Sequence, residues 1–241
     1  MRYLTESDIE ALAVGAAILG TGGGGNPYIG KLRCLRMLRE GGRVPLIGLE
    51  ELADDACVAS IGGIGAPIVG IEKLEEGREG LRALRALEEF CGRKVDALIA
   101  SEIGGGNSLE PILSAAAAGI GVVDGDGMGR AFPEMQMTTF SIYGHSSTPA
   151  TVADERGNVV LFHKVASELW YERLARTTVV AMGGTAVGAE SPMTGAYVKR
   201  AAVPGTVTQA IALGEIVLSA NRAHINPIPR ICARERGVDL M

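Results

Sequence analysis

Three apolar segments of this chain each run into a glycine-rich stretch that also carries a polar side chain, and this pattern constrains the fold most. The stretches are Ser60-Ile61-Gly62-Gly63-Ile64-Gly65, Ser101-Glu102-Ile103-Gly104-Gly105-Gly106-Asn107 and Asp124-Gly125-Asp126-Gly127-Met128-Gly129-Arg130. Between them the hydrophobic period switches from two to about 3.6 and back, the mark of strands alternating with helices. Strands are predicted over Val44–Leu49, Ala56–Ile61, Val95–Glu102 and Ile120–Asp124, and helices over Glu75–Gly92 and Ser108–Gly119. Such alternation implies a largely parallel sheet with helices on both faces, a three-layer α/β/α sandwich. In that arrangement the C-terminal ends of the strands share one edge, where ligands usually bind.

Composition agrees. Glycine supplies 34 of 241 residues, aromatics only 4% and hydrophobic residues 47%, so the core must be aliphatic and closely packed. The charge of -5 offers no basic face for nucleic acid or an anionic membrane. The longest apolar stretch, Ile112–Val123, is too short to span a bilayer, and Arg2–Glu10 is polar rather than signal-like. A cytoplasmic protein with a small-molecule substrate is expected. Its four scattered cysteines, each in an apolar neighbourhood, read as buried free thiols.

Outside the alternating region, Thr5 with Asp8 opens a helix, and Asn26-Pro27 opens a second after the Gly20–Gly25 run. Beyond Gly125 the pattern changes. A short helix is predicted over Ala131–Met137, a hairpin over Ala150–Asp154 and Val159–His163, a helix over Val165–Met182, and a last one from Thr206 with Gln209 in a capping box. A boundary near Lys164 would separate an N-terminal α/β domain, residues 1–164 with the glycine-rich loops, from a helical region, 165–241.

Chemistry is expected at the strand-end loops. Asp124 and Asp126, two apart, are candidate catalytic carboxylates or ligands of a divalent metal. Glu102 supports them, and His145 is a candidate base with a carboxylate in reach. Gly22, Gly23, Gly24, Gly104, Gly105, Gly106, Asn107, Arg130 and Glu134 are candidate substrate-binding residues: glycine amides and the Asn107 amide for ring edges, Arg130 for a carboxylate. Gly20–Gly25 matches a dinucleotide fingerprint and Gly25–Lys31 a P-loop, but neither run follows a strand and Leu32 stands where the P-loop needs Ser or Thr, so no nucleotide is expected. No His/Cys cluster with zinc spacing and no serine nucleophile elbow occurs in the chain.

Three blocks of this chain, AVGAAILGTGGGGNPYIGK (13–31), EIGGGNSLEP (102–111) and VVDGDGMGRAFPEMQMTTF (122–140), resemble the signature blocks of the S-methyl-thiohydantoin desulfurase family. The resemblance implies a three-layer α/β N-terminal domain followed by a smaller, mainly β domain that is truncated here after Ala223. It implies a role in breaking down sulfur-substituted hydantoins, through water attack at the carbon bearing sulfur and release of a thiol or sulfide. It also leaves two rivals: a non-catalytic subunit associated with a hydantoinase/oxoprolinase-type protein, and a nucleotide-binding α/β module. A homo-oligomer is a further expectation.

Overall fold

The computed structural model describes residues 2–21 and 23–235. In chain order the elements are β1 (Arg2–Tyr3), α1 (Glu6–Leu19), α2 (Pro27–Arg39), β2 (Pro45–Ile47), β3 (Cys57–Gly65), α3 (Val69–Glu72), α4 (Glu79–Cys91), β4 (Ala97–Ala100), α5 (Glu110–Ala118) and β5 (Gly121–Asp126). They continue with α6 (Thr139–Ile142), β6 (Ala150–Ala153), β7 (Val159–Phe162), α7 (Glu168–Ala181), β8 (Thr185–Ala189), β9 (Met193–Thr194), α8 (Gly195–Ala201), β10 (Val203–Pro204), α9 (Thr206–Arg222) and α10 (Ile228–Glu235).

The strands form one sheet in the order β1-β2-β5-β4-β3-β8-β6-β7. Its centre, β2-β5-β4-β3, is parallel as the alternation predicts. The side beyond β3 is antiparallel, because β8 enters beside β3 and the β6–β7 hairpin follows it. Alternate strand residues feed opposite faces, as a period of two demands. Leu46, Leu98 and Val122 pack under α1, α2, α4, α5 and α9, whereas Val58, Ala97, Ile99 and Val123 pack with Phe140 and Val198 of α6 and α8. A third cluster joins Ile64, Val152 and Ala186 to Tyr171, Ala175 and Val179 of α7. The result is an α/β sandwich with helices on both faces.

Local chemistry sets the first two helices. Thr5 and Asp8 exchange bonds in the predicted capping box, and Asn26 accepts from the Tyr28 N–H ahead of Pro27. Three expectations need correcting. Residues Gly62–Gly65 are strand, not a turn, because β8 pairs with them through Gly65↔Thr185. The region after Lys164 is not simply helical: it adds β8, β9 and β10 to the same sheet. The last helix is capped by Asp124, whose carboxylate accepts the Thr208 N–H at 3.0 Å, rather than by a Thr206–Gln209 box. All four cysteines are free, but only Cys34 and Cys57 are buried, while Cys91 is half-buried and Cys232 exposed. Among the described residues no helix is long and apolar enough to cross a membrane.

Helices α1 and α9 touch backbone to backbone. A Cβ at Gly214 would stand 1.8 Å from the Ala11 carbonyl oxygen, and one at Gly15 would stand 1.7 Å from that of Ala210. Gly214→Ala therefore forces the two helices apart, an overpacking cost of about 1–3 kcal/mol that outweighs the gain in helix propensity. The thermal midpoint is expected to fall by several degrees. Gly70→Ala, in the open space of α3, is the control and should leave the midpoint unchanged or slightly raised.

Candidate active site

A cleft open to solvent lies at the C-terminal ends of β3 and β4. Its floor is bare peptide: Gly62 and Gly63 of β3 and Gly188 of β8, with Gly62 and Gly188 directly opposite each other in the ladder. With Gly62 and Gly188 paired on the same face, neither strand puts a side chain there, which leaves room for a flat ligand. One wall is the loop after β4, carrying Ser101, Glu102 and Asn107. Another is the loop after β5, carrying Phe132, Pro133 and Glu134, and α7 closes the cleft with Tyr171 and Arg176.

Glu102 is the best-held polar group in the cleft. It is 7% exposed. One oxygen accepts the Asn107 Nδ2–H at 2.7 Å and the other accepts the Phe132 backbone N–H at 3.0 Å. Asn107 is fixed in turn, its Oδ1 accepting the Gly63 N–H at 2.7 Å and its Nδ2 reaching the Gly63 carbonyl. Burial raises the Glu102 pKa above the ordinary carboxyl range, and the Asn107 amide, the Phe132 N–H and the Arg176 guanidinium hold the rise down.

Glu190, at the end of β8, escapes the sequence reading. It is equally buried and lines the same cleft. Burial pushes its carboxyl up to about 8, with the Glu168 and Glu172 carboxylates adding to the rise. Tyr171 beside it is pushed up too, first by burial and then by the same acidic neighbours. A sign was available: Thr185–Ala189 is a short apolar run between Gly183-Gly184 and Ser191-Pro192, which is how a strand reads. Arg176 gave no such signal. Its place depends on α7 packing under the antiparallel side of the sheet.

Of the candidate residues, Glu102, Asn107 and Glu134 meet at the cleft, and most of the others do not. Asp126 is fully buried and holds loops together: its carboxylate accepts N–H groups from Ile103, Met128 and Gly129 at 2.8–3.2 Å. Burial pushes it up to about 6 against those bonds. Asp124 caps α9 and also accepts the Thr208 hydroxyl at 2.5 Å. With the two aspartates serving different elements, they offer no shared set of free oxygens to a divalent metal. Among the described residues no group of three or more His, Cys, Asp and Glu side chains is gathered to hold one. His145 lies outside the cleft, its Nε2 3.0 Å from the Ser191 carbonyl and its ring tilted against Tyr197. Arg130 donates to the Thr21 carbonyl at 2.7 Å and covers the Phe132 ring, also outside the cleft.

The glycine runs are packing surfaces. A Cβ at Gly24 would lie 2.1 Å from the Gly104 carbonyl oxygen, one at Gly105 2.3 Å from that of Gly25, and one at Gly104 2.6 Å from Ala131 Cβ. The amides of Gly106 and Asn107 donate to the carbonyls of Gly25 and Gly24. Gly23, Gly24, Gly104, Gly105 and Gly106 therefore support the Glu102–Asn107 loop from behind and do not line the cleft; Gly22 lies outside the described residues. The run follows α1, so it lacks the preceding strand that both nucleotide-binding motifs require.

Buried acids of this kind leave a signature in stability. For Asp126 and Glu190 the folded pKa lies above the unfolded one, so the native state retains protons that the unfolded chain has lost. The stabilisation is complete below the unfolded values, about 4, and is lost as pH rises through about 6 and about 8. Thermal unfolding followed by circular dichroism should show a lower midpoint at pH 9 than at pH 5.

Two family models together cover nearly all of the chain. The model described as S-Me-THD-like, N-terminal domain, matches residues 7–164, and that described as S-Me-THD-like, C-terminal domain, matches residues 166–241. A crystal structure of a protein from Chromobacterium violaceum is similar at 28% identity and a TM-score of 0.82, over 92% of this chain and 63% of that one. The chain thus spans 63% of the length of that relative. No curated protein matches it. The buried Glu102–Asn107 pair and the loops that hold it fall within the blocks that carry the resemblance, and the chain belongs to the S-Me-THD-like family, that of the S-methyl-thiohydantoin desulfurases.

Proposed function

We propose that the cleft binds a sulfur-substituted hydantoin, an S-methyl-thiohydantoin or a thiohydantoin, and hydrolyses the ring carbon–sulfur bond. The observation that carries this reading is Glu102: a nine-tenths buried carboxylate, oriented by Asn107 and the Phe132 N–H, beside a glycine floor that suits a flat ring. The family supplies the substrate class. The chemistry follows from what hydrolysis at such a carbon requires.

In this reaction Glu102 takes a proton from a water molecule as the water oxygen bonds to the ring carbon. The carbon–nitrogen double bond opens onto ring nitrogen, giving a tetrahedral carbon that holds both oxygen and sulfur. The carbon–sulfur bond then breaks as the proton on the added oxygen passes to the ring nitrogen and the carbonyl forms, and the proton held by Glu102 passes to sulfur. The products are the ring carbonyl and a thiol, so one water is consumed per thiol released. Asn107 holds Glu102 ionised and aimed. The setting we propose is cytoplasmic.

Glu102→Gln keeps the Asn107 contact but removes the base. Thiol release from S-methyl-thiohydantoin is expected to fall by about 10²–10⁴-fold with KM little changed. Unchanged turnover would exclude Glu102 from the reaction. Because the base must be ionised, the rate should rise with pH along an acid limb centred above the ordinary carboxyl value. Asn107→Ala removes a hydrogen bond that favours the anion, so that limb should move to still higher pH. With Asp124 and Asp126 engaged elsewhere, a chelator is expected to leave the rate unchanged.

A further inference from the structure

Glu190 is placed unlike the other acids around the cleft. Its backbone N–H donates to the Ser60 carbonyl at 2.9 Å, which fixes the residue at the end of β8, and its side chain lines the cleft while only 7% of the residue is exposed. The neighbouring acids all have donors. Glu168 accepts the Ser147 N–H at 3.0 Å, Glu172 accepts the Met135 N–H at 3.1 Å and Arg176 Nε at 2.6 Å, and Glu102 is held by Asn107 and Phe132. Among the described residues, none hydrogen-bonds the Glu190 carboxyl. The Arg176 guanidinium on the same wall is already committed to Glu172 and to the carbonyls of Gly65 and Pro133.

The groups facing Glu190 set its protonation. From α7 come Glu168, Tyr171, Glu172 and Arg176; from the loop after β4, Glu102; from the loop after β5, Glu134; and next to it in the chain, Ser191 meets the His145 ring. Acidic groups predominate, water is largely excluded and no donor reaches the carboxyl. All three conditions keep the proton on, and the pKa of about 8 agrees with them.

A carboxylic acid has a donor and an acceptor side by side: the hydroxyl gives one hydrogen bond and the carbonyl takes one. A cyclic amide or urea presents the complementary pair, an N–H and a C=O held cis by the ring. We infer that Glu190 is a recognition residue, which grips the cis-amide edge of a neutral five-membered cyclic amide or urea through one O–H···O and one N–H···O hydrogen bond. The inference rests on the ring-binding reading above and deepens it by giving the N–H and C=O edge beside the reacting carbon its partner. A bound ring would also supply both hydrogen bonds to a carboxyl that lines the cleft without a donor of its own among the described residues. Rings bearing a negative charge on that edge would lose the match.

The test uses 2-imidazolidinone, a sulfur-free cyclic urea that offers the edge, cannot be turned over and does not titrate between pH 6 and 9.5. Its binding to the wild-type chain is measured by calorimetry across that range. Affinity is expected to be level near pH 6 and to fall about tenfold by pH 9, one unit above a pKa of about 8. Glu190→Gln, whose amide also offers a donor and an acceptor, should bind within about threefold of the wild type at pH 6 and lose the pH dependence. Glu190→Leu should bind at least about tenfold more weakly. Circular dichroism shows that each variant is folded, and the glutamine variant guards against reading misfolding as loss of recognition.

Either a flat wild-type profile or full binding by the leucine variant overturns the inference, as does a failure of the wild type to bind the probe. Thiol release separates this outcome from that of the proposed reaction. No thiol release, with the binding pattern intact, overturns the reaction and leaves the recognition role. Undiminished thiol release by Glu190→Leu overturns the recognition role and leaves the reaction.

Discussion

The cleft depends on the buried carboxylate of Asp126. It is fully inaccessible and gathers three backbone N–H groups, one from Ile103 in the loop after β4 and two from Met128 and Gly129 in the loop after β5. Those loops supply Glu102 and Phe132, and Phe132 donates to Glu102. Together with the Gly127 N–H bonds to the Ala100 and Ser101 carbonyls, this one buried carboxylate fixes the two loops relative to each other. Hydrogen bonds to a charged acceptor are stronger than neutral ones, which suits a joint that must hold against the cost of burial. The glycine-to-glycine contact of residues 23–25 with 104–106 then supports the first loop from the side away from the cleft.

The electrostatics of the cleft follow from this arrangement. Glu102 has two donors and the pull of Arg176 to hold it ionised, whereas Glu190 has no donor and acidic neighbours, so two glutamates in one cleft differ in how readily they hold a proton. Pairs of acids driven apart in this way are the usual means by which one site presents both a base and a neutral acid near pH 7. The difference here comes from backbone placement. Asn107 is tied to both polar groups of Gly63, and Gly63 can approach it because no side chain intervenes.

Much of the fold was legible in the sequence because local rules decided it. The Thr5–Asp8 and Asn26–Pro27 caps, the alternation from Val44 to Asp124 and the hairpin around Gly157 each rest on residues close together in the chain. Position also brought Glu102, Asn107 and Glu134 to the cleft. What could not be read was partnership at long range. Asp124 and Asp126 look alike as strand-end carboxylates, but one caps a helix that begins 82 residues later, at Thr206, and the other ties two loops together. The glycine runs looked like ligand cradles because the same freedom of backbone serves a ligand or another backbone. Only the tertiary contact decides between them. Glu190 was missed because Thr185–Ala189, between the helix predicted to end at Met182 and the one predicted from Thr206, was assigned no element, which hid the strand that pairs antiparallel with the C-terminal half of β3.

That antiparallel pairing is what makes a site of the strand end. In a purely parallel sheet the next strand after β3 would end level with it, and the ligand edge would be formed by loops alone. Here β8 runs back along β3 and delivers Glu190 just past its C-terminal end, beside Ser60 and one residue beyond the Ile61↔Ala189 pair. The same ladder sets Gly188 against Gly62, so the floor is bare where the carboxyl enters. A side chain at either glycine would occupy the space that a planar ring needs. The floor and the acid are thus consequences of one register: slipping β8 by a single residue would turn Glu190 to the other face and set a different residue against Gly62. The register is held in turn by Ile64 and Ala186, which pack together against α7. Recognition at the cleft therefore rests on the hydrophobic packing of the antiparallel side as much as on the polar residues that line it.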